Sequence, residues 1–315
     1  MRYFPPLSVI AAGALLVATG CSAGGASAIA PAAAQPVAFS RLHGRPLATP
    51  GHDFIYVADA GLNTVWIFPG RGADPSPVGS ITNGVNGPQG MYIDSRGNLY
   101  VTNPGNATVT IYSPGSSTPS LTLTKDLTVP AAVAVDSKGN IWVDNAEGSY
   151  HGSVVEFPAG SSTPSTVISG ISPFGLALDS KGSLYVATHT YTKGNFIAVY
   201  PPGATQPTKE FGQADLKVPA AVNVGPKGDI AVVDGYLNKM FIYAPKTYKL
   251  RHTTYVAGAR AQLTLAQNKR LYVATGMVVS EVSRDGFGHV LKDELQKGMS
   301  VPDGVVADPP VPPGP

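Results

Sequence analysis

A single cysteine, Cys21, stands in the 315 residues, so no intramolecular disulfide can brace the chain. Charge is scarce as well: Asp, Glu, Lys and Arg make up 13% of the residues, and the formal net charge is +2. Without Arg2 at the extreme N-terminus, 21 basic residues face 20 acidic ones. That balance gives no reason to expect nucleic acid as a partner. The apolar stretch Leu7–Gly20 is built of small residues and is too short to cross a bilayer comfortably. The linear motifs G-x-S-x-G, H-E-x-x-H and G-x-x-x-x-G-K-[ST] are all absent. Their absence does not exclude an enzyme, because a site can be assembled from distant segments. Glycine and proline, by contrast, are plentiful at 36 and 29 residues, which suits an all-β protein full of tight turns.

A repeat gives those turns their order. GMYIDSRGNLYVTN (90–103), AVAVDSKGNIWVDN (132–145) and GLALDSKGSLYVAT (175–188) each join two apolar runs by a tight turn. Weaker copies follow at 221–234 and 262–275, and half copies stand at 53–59 and 303–309. The residues ending the first run are Asp94, Asp136, Asp179, Gly225, Ala266 and Asp308, at intervals of 42, 43, 46, 41 and 42 residues. A period of about 40–45 residues with four strands per unit marks a β-propeller, so the repeat argues for one domain where length alone suggests two.

One unit runs from 131 to 170. Ala131–Asp136 is its inner strand, Ile141–Asn145 the second, Gly152–Phe157 the third and Ser165–Gly170 the outer one. Polar outer strands are expected elsewhere, at Leu121–Leu127 and Arg251–Gly258. The first unit lacks an inner strand and the C-terminus carries a spare at Asp303–Asp308. Pairing that strand beside Phe54–Asp59 predicts a six-bladed β-propeller of four-stranded blades, spanning 41–308 and closed by its C-terminal strand. Loss of the last fifteen residues is expected to open it.

The N-terminus reads as a leader rather than structure, with Arg2 as its positive region. Ala18-Thr19-Gly20-Cys21 resembles the bacterial lipobox, in which the cysteine becomes the lipidated N-terminus. Residues 1–20 are then the lipoprotein signal peptide and Cys21 the lipidation site; the alternative is an ordinary secretory signal cut after an A-x-A site such as Ala26-Ser27-Ala28. Residues 21–40, rich in Ala, Gly, Ser and Pro, read as a flexible tether with a reach of roughly 25 Å. The expected location is the bacterial cell envelope, extracytoplasmic and lipid-anchored. Ser22 carries no retention-type aspartate, which leans toward the outer membrane by analogy with enterobacterial sorting. Residues 309–315 form a proline-rich tail that cannot join a ladder.

Asp59-Ala-Gly-Leu-Asn63 before Val-Trp-Ile-Phe, Asn103-Pro-Gly-Asn106 before Val109-Thr-Ile-Tyr, and Asp234-Gly-Tyr-Leu-Asn238 before Met-Phe-Ile-Tyr resemble the NHL repeat. The turn-and-strand core is similar to the six-bladed group that includes gluconolactonase-like proteins and streptogramin lyases. The matched residues are turn and core positions spanning nearly all of 53–308, so the resemblance implies a fold and leaves function open.

In such a propeller one face carries the starts of the inner strands, here Gln89, Ala131, Phe174, Ala220, Ala261 and Asp303. Three alanines and one carboxylate make a poor metal cage, so neither metal nor cofactor is expected. The loops after the second strands bring Asn145, Glu147, Tyr150 and His151, then His189 and Tyr191, then Tyr236. These form a candidate ligand rim together with Gln89, Phe174 and Asp303. His151 and His189 with Glu147 invite an acid–base proposal, yet they match no histidine and glutamate pattern of the streptogramin lyases. On the opposite face the turns bring Arg96, Lys138, Lys181, Lys227 and Lys269–Arg270. Such a ring could meet anionic lipid headgroups or a polyanion, but turns favour exposed polar residues anyway, and the solvated-turn reading is preferred.

Two functions remain. The favoured one is a non-catalytic, membrane-tethered scaffold binding an envelope protein, glycan or small ligand through its loop face. The alternative is a metal-dependent hydrolase or lyase of the gluconolactonase or streptogramin-lyase type.

Overall fold

The computed structural model describes residues 54–70, 75–147, 151–190, 193–256, 258, 262–265, 271–275, 279–282, 290–295 and 299–308. The leader, Cys21, the tether, the proline-rich tail, Tyr150, Tyr191, Ala261 and Lys269–Arg270 lie outside them. Among the described residues, every regular element apart from a 3-10 turn at Pro104–Asn106 is a strand, and all pairings are antiparallel.

The first sheet contains β1 (Phe54–Asp59), β2 (Thr64–Pro69) and β3 (Gly79–Ile81). The second contains β4 (Met91–Ile93), β5 (Leu99–Asn103), β6 (Thr108–Tyr112) and β7 (Leu121–Leu123). Next come β8 (Pro130–Val135), β9 (Ile141–Asn145), β10 (Gly152–Phe157), β11 (Thr166–Leu178), β12 (Leu184–Thr190), β13 (Gly194–Tyr200) and β14 (Lys209–Phe211), all in one sheet of seven. A four-stranded sheet follows with β15 (Pro219–Val224), β16 (Ile230–Asp234), β17 (Lys239–Tyr243) and β18 (Leu250–Tyr255). The last holds β19 (Leu263–Leu265), β20 (Leu271–Ala274), β21 (Val279–Val282) and β22 (Val290–Leu295). The final strand, β23 (Pro302–Asp308), returns to the first sheet and pairs with β1 from Phe54↔Asp308 to Asp59↔Pro302.

Each unit is a meander because its turns are coded locally. Asp94, Asp136 and Asp179 each accept, through Oδ1, the backbone N–H groups two and four residues on, at 2.8–2.9 Å. Gly97, Gly139 and Gly182 then take the positive φ that closes the turn. The second strands β5 and β9 are buried on both faces. Apolar clusters lie between successive sheets: Ile67 and Ile81 meet Met91 and Ile93, and Ile111 and Leu123 meet Val133 and Ile141. The cluster of Ile55, Val57 and Val305 with Tyr272 and Ala274 joins the last sheet to the first. Along the inner strands, β4 touches β8, β8 touches β11, β11 touches β15, β15 touches β19, β19 touches β23, and β23 touches β4. The architecture is an all-β, propeller-type array.

Two expectations about strands need correction. The outer strand expected at Ser165–Gly170 does not end there: β11 runs thirteen residues, pairing with β10 up to Ile171 and with β12 from Ser172. Elsewhere residues 124–129 or 212–218 separate an outer strand from the next inner one. Here only Ile171 and Ser172 separate Gly170 from Pro173, too few to loop out. The chain bends at Gly170 (φ 76°) while staying extended, and two units fuse into the sheet of seven. The outer strands expected at Leu121–Leu127 and Arg251–Gly258 are also shorter than read. The first stops at Leu123, before Asp126 turns the chain at φ 57°, and the second spans Leu250–Tyr255.

Candidate functional site

The ends of the second strands organise one face, called upper here. Asp59, Asn103, Asn145 and Asp234 occupy equivalent positions there and are buried. Asp234 accepts four backbone N–H groups: Lys217 (2.6 Å) and Val218 (2.9 Å) on Oδ2, Tyr236 (3.1 Å) and Leu237 (2.9 Å) on Oδ1. Asp59 accepts Ser300 N–H at 2.6 Å, Val301 N–H at 2.9 Å and Leu62 N–H at 3.2 Å. Asn145 accepts Thr128 N–H at 3.0 Å and donates to the Asp126 carbonyl at 2.9 Å; Asn103 accepts Asn86 N–H at 3.0 Å. Asp59 and Asp234 thus tie the loop leaving their own strand to the loop arriving from the preceding outer strand, and Asn103 and Asn145 fasten the arriving loop to the strand end.

A backbone bond completes the clamp in three units. Ala60, Ala146 and Gly235 donate to the carbonyls of Val301, Val129 and Val218 at 2.8–2.9 Å. The residue after each valine is a proline (Pro302, Pro130 and Pro219), which confines the valine to extended backbone. With both neighbours fixed, the valine side chains stay in solvent at 37–39% exposure. Leu62, Phe174 and Tyr236 are exposed on the same face, Tyr236 at 71%. Aliphatic side chains held outward by a repeated hydrogen-bond device form an apolar rim whose ordering cost is met by the fold.

Two carboxyl groups sit among these loops. Asp303, beside the Val301 clamp, is pushed up to about 6 by burial and by the nearby Asp59 charge. Asp144, one residue before the Asn145 clamp, is wholly buried, and burial pushes it up to about 7. The Ala132 and Ala131 N–H groups bonded to its Oδ1 oppose that shift, and its Oδ2 has no hydrogen-bond partner. A rim of this kind can hold an apolar or aromatic group and offer it the Asp303 carboxyl as donor or acceptor. Among the described residues, no group of three or more His, Cys, Asp or Glu side chains is placed to hold a metal ion.

The residues expected to form a ligand rim divide. Phe174 and Tyr236 are exposed on the upper face, Gln89 and Asp303 are half-buried at the starts of their inner strands, Glu147 is half-buried and His151 is exposed. Asn145 is buried and engaged as a clamp, because the Thr128 loop folds over it, so its amide is not offered to a ligand. His189 belongs to β12 opposite Ser172 and Asn195. Tyr150 and Tyr191 lie outside the described residues. The clamped valines were missed, although Val-Pro recurs at 129–130, 218–219 and 301–302 just ahead of three inner strands.

No family model and no curated protein matches this chain. Solved structures are similar to it. A protein of unknown function from Bacteroides caccae has a TM-score of 0.62 at 13% identity, over 81% of this chain and 98% of that one. A chain of the nidogen/laminin complex has a TM-score of 0.64 at 15% identity, over 81% and 98%. A streptogramin B lyase has a TM-score of 0.47 at 15% identity, over 69% and 70%. The first two likenesses establish a shared propeller-type fold, which by itself assigns no chemistry.

Proposed function

We propose that this chain is a lipid-anchored, extracytoplasmic six-bladed β-propeller that acts as a non-catalytic binding scaffold through its upper face. The single observation carrying the reading is the apolar rim of Val129, Val218 and Val301, held outward by the clamps on Asn145, Asp234 and Asp59. Ring closure at six blades is supported by the β1–β23 pairing and by the cycle of inner-strand neighbours from β4 round to β23. If β11 serves as the outer strand of the third blade and the inner strand of the fourth, the sheet of seven counts as two blades. The Cys21 lipobox resemblance supports the anchor, and the upper rim then offers a contact to an envelope protein, a glycan or a small ligand with apolar groups.

A photo-crosslinking residue at position 129, 218 or 236 tests this, with position 167 on an outer strand as control. Discrete products from the rim positions, removed by a Phe174→Ser, Val301→Ser change, are expected. Equal products from position 167, or none from the rim, overturn it. Asp303, with its raised carboxyl pKa, is the observation favouring the metal-dependent hydrolase or lyase instead. Elemental analysis of protein purified without chelator decides between them, because stoichiometric calcium or zinc would replace the scaffold reading.

A further inference from the structure

The face opposite the rim has a different chemistry. It carries the turns between inner and second strands, at 94–98, 136–140, 179–183 and 225–229. In the first three, the Asp side chain is folded into its own turn and accepts the N–H of the basic residue two positions on. Arg96 and Lys138 donate at 2.9 Å, and so does Lys181. Asp94 and Asp136 have their second oxygens engaged by Asn98 and Asn140. The carboxylates are therefore turned inward while Arg96, Lys138, Lys181 and Lys227 are exposed at equivalent positions of four consecutive units.

Little opposes these cations. Asp229 is paired with Arg251 at 2.6 Å. The turns between third and outer strands share this face, since Ala159 N–H bonds Asn140 Oδ1 and a Cβ on Gly182 would meet Pro202. Residues 113–120, 158–165 and 201–208 contain no acidic residue, and 244–249 adds Lys246 and Lys249. Among the described residues, the other carboxyls at this face are Glu156, which accepts the Ser165 hydroxyl at 3.3 Å, and Asp308, which burial holds up at about 6.

The first described strand begins, and the last one ends, at the same face. β23 finishes at Asp308, directly opposite Phe54, where β1 begins. The segment preceding Phe54 and the one following Asp308 thus join the fold where a further inner turn would otherwise stand. An anchor on the N-terminal segment would be joined to the fold through the start of β1, at this face.

We propose that the lower face docks on anionic lipid headgroups, with Arg96, Lys138, Lys181 and Lys227 as its contacts, leaving the apolar rim facing away from the membrane. The proximity rests on the lipid-anchor reading; the charge pattern does not. Each basic side chain near an anionic surface multiplies binding about fivefold, and the attraction fades within about 8 Å at physiological salt.

The test is amine footprinting of the full chain on phosphatidylcholine vesicles and on vesicles with about one third phosphatidylglycerol. Labelling of Lys138, Lys181 and Lys227 is expected to fall at least threefold on the anionic vesicles and to recover in high salt. Lys125 and Lys217, exposed in upper-face loops, should label equally on both. The variant Arg96→Glu, Lys138→Glu, Lys227→Glu should leave Lys181 equally labelled on both compositions. Unchanged labelling of the lower lysines, or protection of the upper ones, overturns the proposal. The mass of the Cys21 peptide separates the two readings. An acylated chain without lower-face protection sinks the docking alone, whereas protection on an unacylated chain keeps the docking and sinks the anchor.

Discussion

Gln262 is bonded to Met91 through both groups a peptide unit offers. The Met91 N–H donates to Gln262 Oε1 at 2.9 Å, and Gln262 Nε2 donates to the Met91 carbonyl. Thr102 N–H bonds the Gly90 carbonyl, so Met91, one residue on, turns its N–H and C=O away from β5 to the free edge of β4. Gln262 stands four residues before its turn position. The equivalent residues are Gly90, Ala132, Gly175, Ala221 and Gly304, and a Cβ on Gly304 would run into the Gln89 carbonyl oxygen. One long amide at an otherwise small position thus mimics a strand across β23.

Replacing it should cost stability. Gln262→Ala removes two hydrogen bonds worth about 1 kcal/mol each, partly replaced by water, which corresponds to a Tm lower by about 4–8 °C. Gln262→Glu should cost more at neutral pH, because a carboxylate oxygen would face the Met91 carbonyl, and the deficit should shrink on acidification. Thermal melts of both variants at two pH values check this; an alanine variant that melts with the wild type refutes the bridge.

What was readable along the chain follows from the range of each interaction. Asp94, Asp136 and Asp179 declared themselves because their bonds close within four residues. Asn145 did not, since an asparagine ending a strand looks the same whether it faces solvent or is covered by a loop seventeen residues earlier. Gln262 and Met91 are 171 residues apart, and nothing local in either segment marks the pair. The rim valines were visible as Val-Pro pairs. An apolar residue nonetheless reads as core until the clamp that keeps it out is seen.

Asp144 makes stability depend on pH with a sign opposite to that of an ion-paired carboxylate. Its folded pKa of about 7 lies above the ordinary 3.8, so the native chain keeps a proton that the unfolded chain releases across that window. Stability is fully present below the lower value, falls as the pH rises through the window, and levels off above about 7. Asp303 and Asp308, both raised to about 6, add smaller contributions of the same sign because their shifts are smaller, and Asp303 is only half-buried. Asp144→Asn should flatten most of the slope, on the order of a few kcal/mol at pH 8. Urea titrations at pH 4, 6 and 8 give the comparison, and a wild-type stability that rises over this range sinks the account.

Asp234 carries more backbone donors than its neighbours in the other units. Asp234→Ala removes the shared acceptor of the part-buried N–H groups of Lys217, Val218, Tyr236 and Leu237, at a cost of about 3 kcal/mol. Asp234→Asn keeps one acceptor oxygen and should cost less, as Asn103 and Asn145 do the same work elsewhere. Protease sensitivity should rise first in the loops around residues 212–218 and 235–238. Cleavage confined to other segments would show that the clamp does not hold them.

The C-terminal strand is the most exacting place to test closure. Val305 and Ala307 lie in the cluster with Ile55, Val57 and Tyr272, while Val306 lies in the one with Tyr56 and Met91. Deleting residues 301–315 would bare both faces of β1 at once, and a buried valine is worth about 1.5–3 kcal/mol. The loss reaches about 5 kcal/mol before the orphaned edge of β1 is counted, which is comparable with the whole stability of an ordinary domain. The truncated chain should therefore lose its cooperative melt. A synthetic peptide covering 299–310 should restore the melt in trans, since β23 is held by pairing to β1 and by side-chain burial. A truncated chain that melts within a few degrees of the full one would mean that β23 only decorates the first sheet and that the ring is held by other contacts.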